Sequence, residues 1–376
     1  MKAYKFKLKP SKRIEHELER TLDACRELYN AGLQERRDAY KIARKTIGFA
    51  EQCRELTEVR SLRPDIAGVH SQVLQATLKK LQRAFENFFR RVKAGENPGY
   101  PRFKGKSFFN SFTYPQAGFK LEGDKLTLSR IGSVRLRLSR EIEGKIKTCT
   151  IKREATGWFC IFTVEESCSL YIPKTSESVG IDVGIENFAT LSTGEVIDNP
   201  KYLRQSEREI KIAQRKVSKK KLRGSNRRKA ARILARKHQH VVNRRRDFFH
   251  KLSNQIIREF DDIAVEDLNI KGLVKNHHLA KSISDAAWNT FLNILIAKAA
   301  NAGRRVWKVA AAFTSQDCSR CGERVKKSLA VREHRCIGCG LVLHRDHNAA
   351  INILGRADRF ASASVGLRDD QRILPL

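Results

Sequence analysis

Two Cys-x-x-Cys pairs, Cys318 with Cys321 and Cys336 with Cys339, are each followed by a glycine, Gly322 and Gly340. Fourteen residues, Gly322 to Arg335, lie between them. That spacing suits four thiolates around one tetrahedral ion, and a closed S₄ shell leaves no open coordination position, so the expected metal is a structural Zn²⁺. His334, His344 and His347 are nearby imidazoles, but four cysteines already complete the shell, so these read as nucleic-acid or helix-cap residues. Asp346 follows the last cysteine by seven positions, and two more acidic residues, Asp182 and Glu266, lie upstream on strand-like segments. Each has an ordinary explanation alone: Asp182 as a strand-end turn residue, Glu266 as a surface strand end, Asp346 as a helix N-cap. As a set they can do more. Carboxylates from separate strands can converge on two hard divalent ions about 4 Å apart that activate water and stabilise a leaving oxygen.

The charge balance narrows the substrate. Lys and Arg number 75 against 41 Asp and Glu, a net charge of +34, which creates a long-range field for polyanions. An anionic membrane would also be attracted, but no apolar run approaches the roughly 18 residues of a membrane span. The opening Tyr4-Lys5-Phe6-Lys7-Leu8 alternates charge with apolar residues, unlike a secretory signal. The expected location is therefore the cytoplasm, associated with the nucleoid in a prokaryote. Of the nine cysteines, Cys25, Cys53, Cys149, Cys160 and Cys168 sit in apolar contexts and read as small buried hydrophobes. Lys219, Lys220, Lys221, Arg227, Arg228 and Lys229 belong to a dense basic stretch. Such a run can be a solvated helix face, but helices this basic repel themselves unless a polyanion neutralises them. Together these features point to a nuclease.

The elements that must position these residues follow from periodicity. Tyr4, Phe6 and Leu8 predict an opening strand. From about Ser11 to Val92 the apolar spacing turns helical, with Leu18, Leu22, Cys25 and Leu28, then Leu74, Leu78, Leu81 and Phe85, at three to four residues. Asn97-Pro98-Gly99 breaks the pattern, and residues 102–171 carry alternating strands of a small barrel or sandwich. An opening strand separated from its sheet by a helical insertion is the simplest account. Beyond Pro173, a strand through Asp182, a second strand at 188–191, a basic helical stretch from Lys201 to about Phe260 broken near Gly224, a strand ending in Glu266, a helix through Trp288 and Leu295, and a strand at 305–309 make the C-terminal half α/β. A closing helix runs from Asn348 to Leu354. In the Asp182 strand, Val179, Ile181 and Val183 share one face and Gly180, Asp182 and Gly184 the other, which predicts a carboxylate on a glycine-cleared face that a phosphodiester could approach.

Gly180-Ile181-Asp182-Val183-Gly184, Val265-Glu266-Asp267-Leu268, Ser284-Asp285-Ala286, Thr314-Ser315-Gln316 before the first cysteine pair, and Arg345-Asp346-His347-Asn348-Ala349-Ala350 together resemble TnpB. That family comprises RNA-guided DNA nucleases of bacterial and archaeal insertion sequences, related to compact type V CRISPR effectors. The resemblance implies a multidomain α+β fold: a wedge β-barrel at 1–10 and 99–172, a helical recognition insertion at 11–98, a RuvC-like, RNase H-fold nuclease domain at 173–313 and 344–376, and a zinc ribbon at 314–343. It implies Asp182, Glu266 and Asp346 as the triad for two catalytic Mg²⁺ ions, and the four cysteines as ligands of one Zn²⁺. Gln75 matches a position that reads a short DNA motif beside the target, and Asn110 and Ser111 lie in a segment that contributes others; Gln75 also suits a solvent-facing helix position. The implied partners of a monomer are a guide RNA from the element's end and target double-stranded DNA read by guide pairing. The implied reaction is hydrolysis of a DNA phosphodiester to leave a 5′-phosphate. Two other readings remain: a nuclease-inactive RNA-guided repressor, which would have lost the triad, and a DNA-joining transposase, since RNase H-like folds host those too.

Overall fold

The computed structural model describes residues 1–165, 172–327 and 331–364, with the backbone alone at 271, 278 and 360–364. Cys168 and the segment from residue 365 lie outside the described residues. The chain divides into two compact units, Met1–Cys168 and Ser169–Leu376.

In the first unit the alternation of the opening residues forms β1 (Lys2–Lys9), whose Tyr4, Phe6 and Leu8 are each 2% exposed. Four helices then intervene: α1 (Lys12–Ala43), α2 (Phe49–Leu62), α3 (Pro64–Ala67) and α4 (Ser71–Lys93). Ser11 caps α1 by accepting from the Ile14 amide. Leu18, Leu22, Cys25 and Leu33 on α1 join Val73, Leu74, Leu78 and Leu81 on α4 in one core. Each such buried side chain is worth about 2 kcal/mol of transfer free energy. The strands β2 (Ser111–Tyr114), β3 (Phe119–Glu122), β4 (Lys125–Leu128), β5 (Gly132–Arg137), β6 (Lys145–Glu154) and β7 (Gly157–Glu165) follow. β1 lies inside their antiparallel sheet, ordered β2-β6-β7-β1-β5-β4-β3, with Tyr4 opposite Phe162 and Leu8 opposite Leu136.

The barrel expected from sequence is a curled sheet, open between β2 and β3. No described hydrogen-bond ladder joins those edges; the rings of Tyr114 and Phe119, 6.4 Å apart, meet across them instead. The Tyr114 hydroxyl donates to the Ser129 carbonyl at 3.0 Å, which occupies the polar end of that contact.

The second unit contains β8 (Ser178–Val183), β9 (Asn187–Leu191), β10 (Val196–Asp198), α5 (Tyr202–Ser218), α6 (Ser225–Glu259), β11 (Asp262–Glu266), α7 (Ile270–Leu273), α8 (His277–Ala286), α9 (Trp288–Asn301), β12 (Arg305–Val309), β13 (Glu333–Arg335), β14 (Val342–His344) and α10 (Arg345–Ser364). Its main sheet runs β10-β9-β8-β11-β12; the first three strands are antiparallel, and β8, β11 and β12 are parallel. Val179, Ile181, Ile263 and Val265 face a core shared with Phe249, Leu252 and Ile256 of α6 and Phe291 and Leu295 of α9. Ala264 and Val309 pack with Ile353 and Ala357 of α10. A sheet covered on both faces explains why β8 and β11 read as apolar runs.

Two sequence expectations change here. The closing helix begins at Arg345 and continues to Ser364, so Asp346 lies in its first turn rather than at its N-cap. The glycine-cleared face is filled from within: a Cβ at Gly180 would sit 2.1 Å from the Ala350 carbonyl oxygen and 2.8 Å from the Leu354 nitrogen. Gly180 therefore serves the close approach of α10, not that of a ligand.

Candidate metal centre

Asp182 is the penultimate residue of β8, and Glu266 is the last residue of its parallel neighbour β11. Ile181 is opposite Val265, so the next residue on each strand projects to the other face of the sheet, side by side at the carboxyl ends of β8 and β11. α10 lies across that face because Gly180 and Ala264 present almost no side chain, and its first turn brings in Asp346, 8% exposed. Burial first, then the negative charges of Glu266 and Asp346, push the Asp182 carboxyl well above its ordinary value; Arg345 offsets part of this. Burial also raises Glu266, opposed by the Thr314 hydroxyl and the charge of Arg356. Three carboxyl groups thus share a partly buried space whose cations do not balance them, an arrangement that favours either protonation or a bound cation.

The surroundings fix the carboxylates. Thr314 Oγ1 donates to Glu266 Oε1 at 2.5 Å, and Arg345 Nε to Asp346 Oδ1 at 3.2 Å. Trp288 Nε1 donates to the Gly184 carbonyl at 3.2 Å, pinning the turn just beyond Asp182. A polar stripe on α10 holds the segment leading to the cysteines. Asn348 donates to the Asp317 carbonyl at 2.8 Å and accepts from the Ser319 amide at 3.0 Å. Asn352 donates to the Thr314 and Asp317 carbonyls at 2.8 and 2.7 Å, and Arg356 to those of Ala310 and Ala312 at 2.6 and 2.8 Å. Sequence reasoning assigned no role to Thr314, Asn352 or Arg356. The available signal was the spacing 348, 352, 356, one polar stripe on a helix whose neighbouring stripe is Ala349, Ile353 and Ala357.

The four cysteines do meet: their sulfur atoms all lie within 4.8 Å of one another, with 3.6 Å from Cys318 to Cys339 and 3.5 Å from Cys321 to Cys336. Tetrahedral thiolates at 2.3 Å from zinc would stand about 3.8 Å apart, so the set fits that ion. Among the described residues this is the group of three or more His, Cys, Asp or Glu side chains with its ligand atoms so close; the carboxylates are more widely spread. Both pairs turn alike, through Gly322 N to the Cys318 carbonyl at 2.9 Å and Gly340 N to the Cys336 carbonyl at 3.1 Å, with φ of 81° and 71° at the two glycines. Burial opposes ionisation of Cys318, but the amides of Cys321 and Arg320, with His334 and Cys339, outweigh it and bring the thiol down to about 6. His334 is buried on β13, while His347 Nε2 lies 3.1 Å from the Ser192 carbonyl oxygen and His344 Nδ1 accepts from the Asp346 amide at 3.3 Å.

The remaining candidates lie apart from the carboxylates in their roles. Gln75 is exposed on α4; Asn110 and Ser111 are half-buried at the start of β2, where the Asn110 carbonyl accepts from the Arg153 amide at 2.8 Å. Lys219, Lys220 and Lys221 form the exposed turn after α5, and Arg228 and Lys229 are exposed on α6. Arg227 instead turns back to the end of α5, donating to the Val217 and Lys220 carbonyls at 3.0 and 3.3 Å. Asp285 accepts from the Leu203 and Arg204 amides at 3.0 and 3.2 Å and pairs with Arg245 at 2.5 Å, capping α5 from a distant helix.

Against known proteins, the chain is 37% identical over 376 residues to a Streptomyces pristinaespiralis protein provisionally named an RNA-guided DNA endonuclease, covering 98% of this chain and 92% of that one. The chain belongs to the TnpB family. An Escherichia coli K12 relative, provisionally named RNA-guided DNA endonuclease InsQ, is 30% identical to this TnpB-family chain over 94% of it and 92% of the relative. Family models match residues 161–277 ("Probable transposase", OrfB of the IS605 type), 288–353 (Cas12f1-like TNB domain) and 1–45 (helix-turn-helix domain). In this TnpB-family structure, residues 1–45 comprise β1 and the single long helix α1. A Cas12f1 chain solved with guide RNA and target DNA shares the fold with a TM-score of 0.58 at 16% identity, over 91% of this chain and 83% of that one. A Cas-phi chain does so at 0.55 and 11%, over 95% and 92%. The fold is mixed α/β. No helix among the described residues is long and apolar enough to cross a membrane.

Proposed function

We propose that this protein is an RNA-guided DNA endonuclease of an insertion sequence, with Asp182, Glu266 and Asp346 holding two Mg²⁺ ions at the reacting phosphodiester. The observation that carries this reading is the packing of the first turn of α10, with Asp346, on the sheet face that carries Asp182 and Glu266, where the charges of Glu266 and Asp346 act on the buried Asp182. When bound, such ions would activate water and stabilise the leaving oxygen. The chain's own groups prepare the site. Asp182 feels the charge of both acidic neighbours, the Thr314 hydroxyl fixes the Glu266 carboxylate, and Arg345 steadies Asp346. The likeness of the second sheet to an antiparallel three-strand meander extended by two parallel strands supports an RNase H-like, RuvC-type nuclease domain, and the cysteine quartet supports a zinc ribbon inserted before α10. The curled sheet and α1 to α4 are read as the wedge and recognition parts that hold RNA and a short flanking DNA motif, with Gln75, Asn110 and Ser111 at that motif. The exposed lysines of the α5–α6 turn would meet phosphates.

The test is to purify the protein with RNA transcribed from DNA flanking its gene and to assay cleavage of matching plasmid in Mg²⁺. Asp182→Ala should abolish cleavage while RNA still co-purifies. Undiminished cleavage by that variant would remove the triad from the mechanism, and strand joining in place of cleavage would favour a transposase.

A further inference from the structure

The end of α4 and the loop after it expose rings that a folded monomer would ordinarily cover. Phe85 is 9% exposed and anchors the group, with the Arg36 guanidinium 5.2 Å from its ring centre. Phe88 lies 5.1 Å from Phe89 and 5.3 Å from Tyr100, both edge-to-face, and Phe85 lies 5.7 Å from Tyr100 at 88°. Phe89 and Tyr100 nonetheless remain 54% and 46% exposed. The loop is held rather than loose: Arg91 Nη1 donates to the Pro98 carbonyl at 3.1 Å, and Gly99 turns the chain at φ 55° so that Tyr100 returns to α4. The result is a buttressed aromatic step with two open ring faces.

Cations neighbour it along the chain. Lys93 lies one turn beyond Phe89 on α4, Arg90 is the next residue, and Arg102 is two past Tyr100; all are exposed, and no ion pair among the described residues involves them. Glu86 and Glu96 are the nearby acids in sequence, and Glu86 accepts from Gln82 at 3.2 Å. A purely apolar protein partner would leave three cations desolvated without counter-ions. Open aromatic faces on a chain segment rich in exposed Arg and Lys suit unpaired nucleobases, whose π-faces stack while the adjoining phosphates can meet cations. Bases of a duplex are already stacked on each other, and RNA presents its unpaired bases in loops and bulges.

We propose that Phe89 and Tyr100, on the step formed by Phe85 and Phe88, stack against unpaired bases of RNA, with Arg90, Lys93 and Arg102 on the flanking phosphates. This rests on the reading that RNA accompanies the protein but does not depend on the carboxylate chemistry. The test uses full-length protein stripped of RNA in high salt, with fluorescence anisotropy on a labelled oligoadenylate, the matching oligodeoxyadenylate, and an RNA duplex of equal length. Phe89→Leu keeps apolar area at an exposed position and removes the π-face; it should weaken oligoadenylate binding about 10-fold and leave duplex binding unchanged. Phe89→Trp should restore it, and Arg90→Gln should lower the salt slope by about one while keeping the stacking preference. Equal oligoadenylate affinity for Phe89→Leu and wild type, or equal loss on duplex, overturns the proposal. A loss confined to oligodeoxyadenylate would give the step to single-stranded DNA and overturn the RNA assignment. Absence of plasmid cleavage with the base preference intact would count against the nuclease reading alone.

Discussion

The cysteine quartet and the three carboxylates proposed as a metal site gather their side chains at opposite ranges. The cysteines lie within one short segment, and two matching turns around Gly322 and Gly340 bring their sulfurs within 4.8 Å. The carboxylates are spread from Asp182 to Asp346 along the chain and reach one face of the sheet because two parallel strands run in register and one helix packs against Gly180. Local geometry makes the first site; the packing of a whole sheet makes the second. The two are joined by the α10 stripe, which grips the segment between Thr314 and the first cysteine pair.

If the quartet is locally built, breaking it should be severe but confined. Cys318→Ser should reduce zinc from one equivalent per chain to near zero by atomic emission, since apparent structural-zinc binding contributes about 10–16 kcal/mol in small domains. Hydrogen exchange should rise through residues 314–344 while β8 and β11 stay protected. A variant that keeps a full equivalent of zinc would show that Cys318 is not a ligand.

The triad should instead fail from a position that carries no chemistry. Gly180→Ala places a methyl against the Ala350 carbonyl, a backbone atom that cannot swing away, so α10 must shift and Asp346 with it. Overpacking of this kind costs about 1–3 kcal/mol or more, and the melting temperature should drop by several degrees. Cleavage should be lost with all three carboxylates present. An unchanged melting temperature together with full activity would mean that α10 does not rest on Gly180.

Protonation separates the sites further. The Asp182 and Glu266 carboxyls are raised in the folded chain, so their contribution to stability is fully present below the unfolded carboxylate range and is lost as pH rises through their folded values. The metal-free protein should therefore gain stability from Asp182→Asn at pH 8 and little at pH 4, with Mg²⁺ closing the gap by stabilising the native carboxylates. Melting curves across pH in EDTA and in Mg²⁺ read this directly; a destabilised Asp182→Asn at pH 8 in EDTA would mean that the carboxylate is already paired.

These differences in range also explain what the sequence disclosed. The thiolate spacing and the period-two run of Tyr4, Phe6 and Leu8 are local patterns, so the cysteine cluster and β1 were legible. That β1 would lie between β5 and β7 was legible only as the return of an orphan strand to a sheet, and the opening between β2 and β3 was not, because it depends on an edge where the rings of Tyr114 and Phe119 meet in place of a ladder. Gly180 looked like space for a ligand because a glycine shows that something approaches without showing what. Arg227 looked like another phosphate contact; only the fold reveals the Val217 and Lys220 carbonyls that it serves.

Thr314 offers the smallest and most discriminating perturbation. Its hydroxyl has one proton, 2.5 Å from Glu266 Oε1 and 3.2 Å from the Ala311 carbonyl, and the shorter contact assigns it to the carboxylate. Thr314 is 4% exposed, so Thr314→Val preserves shape and removes that one donor. A hydrogen bond to a charged group is worth about 1.5–3 kcal/mol, and part of it persists in any cation complex of Glu266, so cleavage should slow about 10-fold. Losing that donor raises the Glu266 carboxyl further, so the loss should grow as pH falls. Zinc content should not change. A pH-independent loss accompanied by zinc release would instead place Thr314 with the cysteines, as part of the ribbon's frame rather than of the carboxylate site.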